Sequence, residues 1–217
     1  MSAKLQLAVL ISGRGSNLQA LIDAAADPAF PAEIALVISN KAAAPGLQRA
    51  EKAGIPTKVI DHRGFETRAL FDAEMTRAMA AAGAELVCLA GFMRLLSEEF
   101  VAHWMDRMIN IHPSLLPAFK GLDVQQRAID AGARFSGCTV HYVRHEMDTG
   151  PIIAQAVVPI HQGDTADGLA ARILEHEHVI YPLAVRWIAE NRVRIEGERA
   201  IVTGVEAPAG TLINPAP

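Results

Sequence analysis

The stretch that decides the fold covers residues 5–20 and reads LQLAVLISGRGSNLQA. Residues 5–12 form a run of strand length that is rich in Leu, Val and Ile, and residues 16–26 carry apolar side chains at helical spacing. The glycine-rich turn between them follows a strand and opens a helix, so its backbone N–H groups point at one spot. The sequence therefore predicts a strand–turn–helix unit that binds an anion.

Strand-like and helix-like segments alternate from this unit onward. Predicted strands cover residues 33–40, 57–61, 85–90 and 108–111, and predicted helices cover residues 45–53, 66–82 and 97–104. Residues 139–143 and 152–159 read as an antiparallel hairpin, and a long helix is predicted from residue 165 to residue 191. This order indicates an α/β protein with an open, mostly parallel sheet, helices on both faces, and an antiparallel hairpin in its C-terminal part.

Length and composition favour one domain in residues 1–204, in a chain of 217 residues with 51% hydrophobic residues. Residues 207–217 carry three prolines and no charge, so the tail 205–217 is expected to be poorly ordered. A net charge of -4 gives no bulk attraction to nucleic acid or to an anionic membrane. No targeting or membrane-spanning segment is evident, and a cytoplasmic protein is expected.

Two cysteines, Cys88 and Cys138, lie inside apolar strand-like runs. They are interpreted as buried thiols, because free cysteine behaves as a small core hydrophobe. The sequence offers no disulfide framework.

The glycine-rich turn suits a single phosphate group. Leu18 replaces the third glycine of a dinucleotide fingerprint, and the second strand ends without a carboxylate for a ribose diol. A Walker loop is excluded because no Gly-Lys-Ser/Thr follows. The alternative is a tight turn in which Ser16 is a plain N-cap, without a ligand.

A second candidate site follows the strand 108–111. Asn110 and His112 are two residues apart, so both side chains can face the crevice at the carboxyl end of the sheet. Asn offers an amide donor and His a titratable proton, which suits an oxyanion and acid catalysis. Asp148 is the natural third partner, because a carboxylate orients an imidazole and favours its charged form. The alternatives are loop hydrogen bonds for the pair and an Asx turn for Asp148.

A metal site is not expected, although the chain has 8 histidines. His141 and His145 lie on an extended segment, where residues four apart need not converge as they would on a helix.

Several motifs resemble the folate-dependent glycinamide ribonucleotide formyltransferases of purine synthesis, within the wider group of 10-formyltetrahydrofolate enzymes. The resemblance spans residues 7–204 and includes ISGRGSNLQA (11–20), LAGFMR (89–94), NIHPSLLP (110–117), GCTVH (137–141), DTGPI (148–152) and EHVIYP (177–182). It implies a Rossmann-like formyltransferase fold. It departs from the family pattern at Arg14 and at residues 118–121, which leaves the loop 118–126 open in conformation.

The resemblance also implies residue roles. The catalytic trio would be Asn110, His112 and Asp148. The nucleotide substrate would lie against Gly15, Ser16, Asn17, Leu174, Glu175, His176 and Glu177. The folate would lie against Arg68, Met93, Arg94, Leu95, Leu96, Asn110, Arg144, His145, Glu146, Met147 and Asp148.

The implied reaction transfers a formyl group from 10-formyltetrahydrofolate to the amine of 5'-phosphoribosylglycinamide, in de novo purine biosynthesis. The folate would be a co-substrate, with no metal and no tightly bound cofactor, and the enzyme would be a monomer or homodimer. A formyltetrahydrofolate hydrolase shares these motifs but normally carries an extra N-terminal domain, and a methionyl-tRNA formyltransferase would need a further C-terminal domain and a basic surface. A non-catalytic folate- or phosphate-binding module is the alternative of a different class.

Overall fold

A computed structural model describes residues 3–215 and contains a seven-stranded sheet in the order β3-β2-β1-β4-β5-β6-β7. Its strands are β1 Leu5–Ile11, β2 Ala32–Ser39, β3 Thr57–Val59, β4 Leu86–Leu89, β5 Met108–His112, β6 Phe135–Tyr142 and β7 Ile152–Pro159. The first five strands are parallel, and β6 and β7 pair antiparallel. The predicted mostly parallel α/β sheet with an antiparallel hairpin is confirmed.

Six α-helices accompany the sheet in the described part of the chain: α1 Ser16–Ala25, α2 Pro45–Lys52, α3 Arg68–Ala81, α4 Glu98–His103, α5 Val124–Asp130 and α6 Ala166–Ala189. A 3₁₀ turn covers His62–Gly64. Ser97 is the N-cap of α4, as predicted, and its hydroxyl accepts a hydrogen bond from Phe100 N.

Two apolar cores lie on opposite faces of the sheet. Along β1, Leu7, Val9 and Ile11 face the core that α1 and α6 cover. Ala8 and Leu10 alternate with them and face the core beneath α3 and α4. Both faces are therefore dry, which explains why β1 reads as a continuous apolar run.

Besides the 3₁₀ turn, three elements were not predicted from the sequence: α5 and the two strands of a small separate hairpin, β8 Val193–Glu196 and β9 Arg199–Val202. Helix α5 resolves part of the open loop 118–126, since it begins at Val124 after Asp123 takes a left-handed conformation. Strand β8 exposes the alternate charged residues Arg194 and Glu196, and β9 exposes only its first residue, Arg199. Each strand has four residues, so the pattern is hard to distinguish from that of a polar loop.

The tail after residue 204 contains no helix or strand up to residue 215. Its Asn214 amide donates to the carbonyl oxygens of Arg134, at 2.6 Å, and Ile160, at 3.0 Å. Residues 1–2 of the predicted domain and residues 216–217 of the predicted tail lie outside the described residues. The poor order of the tail stays a prediction.

Cys88 and Cys138 are both free and buried, as predicted. Burial raises the pKa of each thiol to about 12. Within residues 3–215, no helix combines the length and apolar character that crossing a membrane requires.

Candidate active site

The strand order reverses between β1 and β4, and this switch point opens a crevice at the carboxyl ends of the strands. The glycine loop, defined as residues 12–17, follows β1, and residues 90–96 follow β4. Asn110 and His112 end β5 on the neighbouring side. The topology therefore brings the two sequence-predicted sites to one edge of the sheet.

The glycine loop meets α1 without a side-chain cap. Gly15 is the N-cap with φ 70° and ψ 34°, and no side chain of the described residues accepts a bond at this cap. Ser16 is the first helical residue, so the alternative of Ser16 as a plain N-cap is wrong. The N–H groups of the first turn remain available to an anion, which the helix dipole favours.

A buried hydrogen bond joins this loop to α6. Asn17 Nδ2 donates to Glu177 Oε2 at 2.7 Å, and both side chains are buried. Burial raises the pKa of the Glu177 carboxyl, against the hydrogen bond from Asn17 and the attraction of His112. Leu174 is half-buried on the same helix, whereas Glu175 and His176 are exposed.

His112 and Asp148 are in contact, and both side chains are nearly buried. His112 Nδ1 lies 3.5 Å from Asp148 Oδ1, and the two side chains are 7% and 10% exposed. His112 Nε2 donates to Phe119 O at 3.1 Å. Both ring nitrogens thus face acceptor oxygens, which suits the doubly protonated imidazolium. Asp148 has φ 50°, and its second oxygen accepts from Gly121 N at 2.8 Å, which fixes the carboxylate toward His112.

His141 is a functional candidate that sequence reasoning considered only as a metal ligand. It lies opposite Asn110 in the β5–β6 register, and its Nε2 is 3.3 Å from Asn110 Nδ2. His141 Nδ1 donates to Tyr142 O at 2.8 Å and to Thr149 O at 3.2 Å. Nε2 must then accept from the Asn110 amide, and burial lowers the pKa of His141 and keeps it neutral. Within the described part of the chain, the second N–H of Asn110 has no partner and can donate to a ligand.

The residues that follow β4 form an apolar, exposed segment. Met93 and Leu95 are 64% and 56% exposed, and Met93 N donates to Ser12 Oγ at 2.8 Å. Ser12 Oγ in turn donates to Asn40 Oδ1 at 2.6 Å, so a buried hydroxyl ties the segment to the end of β1. Arg94 is exposed and Leu96 is half-buried.

Arg68 begins α3 beside this segment. One turn further along α3, Asp72 Oδ2 accepts from Ser97 N at 2.6 Å. Across the crevice, His145, Glu146 and Met147 are exposed in the turn between β6 and β7. Most of the predicted folate residues thus lie on three segments: residues 93–96, the start of α3 and the turn between β6 and β7.

The Arg144 side chain is bound by carboxylates of two other segments. Its guanidinium contacts Asp106 at 2.9 Å and Glu198 at 3.2 Å. These two carboxylates hold the Arg144 side chain. Among residues 3–215, no three His, Cys, Asp or Glu side chains form a group that could hold a metal ion.

A family model described as formyl transferase matches residues 5–185. The chain belongs to the formyl transferase family. The phosphoribosylglycinamide formyltransferase of Escherichia coli K12 is 43% identical over 204 residues, which is 94% of this chain and 96% of that enzyme. The predicted family is thereby confirmed.

Some longer relatives match this chain over only a part of their length. The trifunctional purine biosynthetic protein adenosine-3 of Bos taurus is 50% identical over 88% of this chain, and the chain spans 19% of that protein. The remaining four fifths of that relative have no counterpart in the matched segment.

Solved structures support the same family. A glycinamide ribonucleotide transformylase from Symbiobacterium toebii superposes on this formyl transferase with a TM-score of 0.91 at 46% identity, covering 93% of this chain and 95% of that one. A formyltetrahydrofolate deformylase from Burkholderia mallei gives 0.84 at 30% identity, and this chain covers 70% of it. The deformylase is the more distant of these two neighbours.

Proposed function

We propose that this formyl transferase moves the formyl group of 10-formyltetrahydrofolate to the amine of 5'-phosphoribosylglycinamide, in de novo purine biosynthesis. One observation supports the proposal: Asn17 of the glycine loop donates to Glu177, and Glu177 lies close enough to His112 for the two side chains to attract each other. A substrate with a phosphate at one end and an amine at the other spans that arrangement. A cytoplasmic location fits this role.

The phosphate binds at the glycine loop through the N–H groups of Gly15, Ser16 and Asn17. Glu177 lies one hydrogen bond further along and offers acceptor oxygens to the sugar hydroxyls. The amine then reaches the end of β5, while the folate is held between residues 93–96 and the turn 144–148.

The reaction begins when the amine nitrogen attacks the formyl carbon on N10. A tetrahedral intermediate forms, and its oxyanion accepts bonds from Asn110 Nδ2 and from the His112 imidazolium. The attacking nitrogen loses a proton through water to Asp148, N10 gains a proton from His112 or from a bound water, and the N10–carbon bond breaks. Asp148 stabilises the charged imidazole until His112 gives up its proton, and transfer of the proton from Asp148 to His112 then restores the starting protonation states.

The test follows the ultraviolet change on deformylation of 10-formyltetrahydrofolate, with and without 5'-phosphoribosylglycinamide, and identifies the product by mass. We expect consumption only with the nucleotide, together with its formyl derivative. Consumption without the nucleotide would instead establish a hydrolase, the reaction in the name of the Burkholderia neighbour. Folate binding with no consumption would leave a binding module.

A further inference from the structure

Helix α2 donates hydrogen bonds to two carbonyl groups of the glycine loop. Gly46 N donates to Gly13 O at 3.0 Å. One turn further along the helix, Arg49 Nε donates to Arg14 O at 2.9 Å. Arg49 Nη1 also donates to Gln19 Oε1 on α1, at 3.1 Å, so the guanidinium bridges the loop and the helix that follows it.

These two bonds fix the direction of the neighbouring N–H groups. In a trans peptide the C=O of one residue and the N–H of the next lie in one plane and point in opposite directions. Because Gly13 O and Arg14 O both point at α2, the N–H groups of Arg14 and Gly15 point away from it. Together with the open first turn of α1, they face the anion side of the loop.

The contact between α2 and the loop leaves no room for a side chain. A Cβ on Gly46 would lie 2.6 Å from Ile11 Cδ1, and 3.1 Å from both Gly13 O and Gly15 Cα. A Cβ on Gly15 would lie 2.7 Å from Gly46 Cα. The two glycines are thus in direct backbone contact, and Gly15 also has a left-handed φ, which by itself disfavours a side chain at that position.

We propose that Gly46 and Arg49 are positioning residues for phosphate binding. They occupy the loop carbonyls and keep the loop N–H groups turned toward the phosphate, without touching the substrate themselves. This inference rests on the proposed function, since it assigns the substrate phosphate to the glycine loop. The inference assigns a role at this site to α2, a helix that no sequence motif connected with it.

The direct test replaces Arg49 with Met. Loss of a charge-assisted hydrogen bond should raise KM for 5'-phosphoribosylglycinamide about tenfold, while kcat at saturation and KM for the folate stay within about twofold. Arg49→Lys keeps the charge but loses the guanidinium fork, so it should recover little of the affinity. Full recovery in Arg49→Lys would overturn positioning in favour of simple charge attraction.

Lys52→Met is the matched control, because it removes a positive charge from the last residue of the same helix. Lys52 makes no hydrogen bond to the loop within the described part of the chain, and KM should not change. An equal rise in KM in Lys52→Met would show that the positive charge of α2, and not the hydrogen bond from Arg49, determines nucleotide affinity.

Gly46→Ala tests the close approach. We expect KM for the nucleotide to rise by more than in Arg49→Met, since the loop itself must shift. Gly64→Ala is its control, because a Cβ on Gly64 meets nothing within 4 Å. Thermal midpoints of both variants are compared, so that a loss of stability is separated from a loss of nucleotide affinity.

Binding of ribose 5-phosphate, followed by NMR titration, separates this inference from the proposed function. Binding to the wild type that weakens in Arg49→Met supports the role of α2 even if no formyl transfer is found. Equal binding by both proteins overturns that role while the phosphate site stands. No binding to the wild type would remove the phosphate site and the role of α2 together.

Discussion

Among residues 3–215, Asn110 donates one amide N–H to His141 and the other has no partner, so replacing Asn110 is the sharpest test at the scale of single residues. Asn110→Ala should lower kcat by about 10²–10³, the usual effect of removing one oxyanion donor. The rate is measured at saturating concentrations of both substrates. Asn214→Ala, which removes an amide from the tail, is the control and should keep full activity. Near-normal turnover in Asn110→Ala would exclude the oxyanion role.

His141 should make the reaction sensitive to acid. Burial lowers the pKa of His141 below its ordinary value of 6.5, with Asp148 acting against the shift and His112 adding to it. Once protonated, His141 Nε2 no longer accepts from Asn110, and the amide loses its orientation. Turnover should therefore fall at a pH below 6.5. His141→Gln keeps an acceptor oxygen and does not titrate, so this part of the acid limb should disappear from its pH–rate profile.

The same ionisation should appear in stability. Between the lowered pKa and 6.5, the unfolded chain carries a proton on His141 that the folded protein does not. The free energy of unfolding therefore decreases as the pH falls through that window. Denaturant titrations at several pH values should show a shallower acid dependence in His141→Gln. Identical slopes in both proteins would mean that folded His141 is charged in the same range as the unfolded residue.

At the scale of elements, α6 carries Glu177 to the glycine loop, and its start depends on one cap. Thr165 Oγ1 accepts from Gly168 N at 3.1 Å. Thr165→Ala should cost about 1 kcal/mol and lower the thermal midpoint by ~2–4 °C. Calorimetry measures the shift, and Thr211→Ala in the tail provides a control without a cap. Equal midpoints in the two variants would show that Thr165 does not stabilise the helix.

Elements with their own local signals were predictable from the sequence. Strand β1 is buried on both faces and helix α4 has Ser97 at its start, so their patterns do not depend on distant residues. Strands β8 and β9 expose three of their eight residues and pair with each other outside any motif. Local pattern could not have identified such a hairpin, because its stability comes from contacts across the strands.

Some residues of the candidate site were likewise predictable from the sequence, and others were not. The resemblance supplied Asn110, His112 and Asp148, and the structure brings them together. The His141–Asn110 contact depends on the register of β5 against β6, which sequence reasoning did not assign. The contact of Gly46 with Gly15 depends on how α2 packs against a loop some thirty residues earlier in the chain. These partners required the tertiary structure.

At the scale of the whole molecule, the reactivity of the two buried cysteines can be used to measure local and global unfolding of the sheet. Cys88 lies on β4 and Cys138 on β6, and both belong to the core beneath α1 and α6. Because burial raises both pKa values to about 12, almost no thiolate exists at neutral pH in the folded protein. Reaction with a thiol reagent therefore requires opening of the structure.

If the sheet opens as one cooperative unit, both thiols should react at the same opening free energy. Cys88→Ala and Cys138→Ala each leave one thiol, and the labelling rates of the two variants are measured over a series of denaturant concentrations. Equal dependence on denaturant, after correction for each variant's stability, is expected for a single core. Faster labelling of Cys138 alone would show that the β6–β7 hairpin, which also holds His141, opens independently of the parallel strands. Because the turn 144–148 joins these strands, saturating folate should then slow the labelling of Cys138 and leave that of Cys88 unchanged.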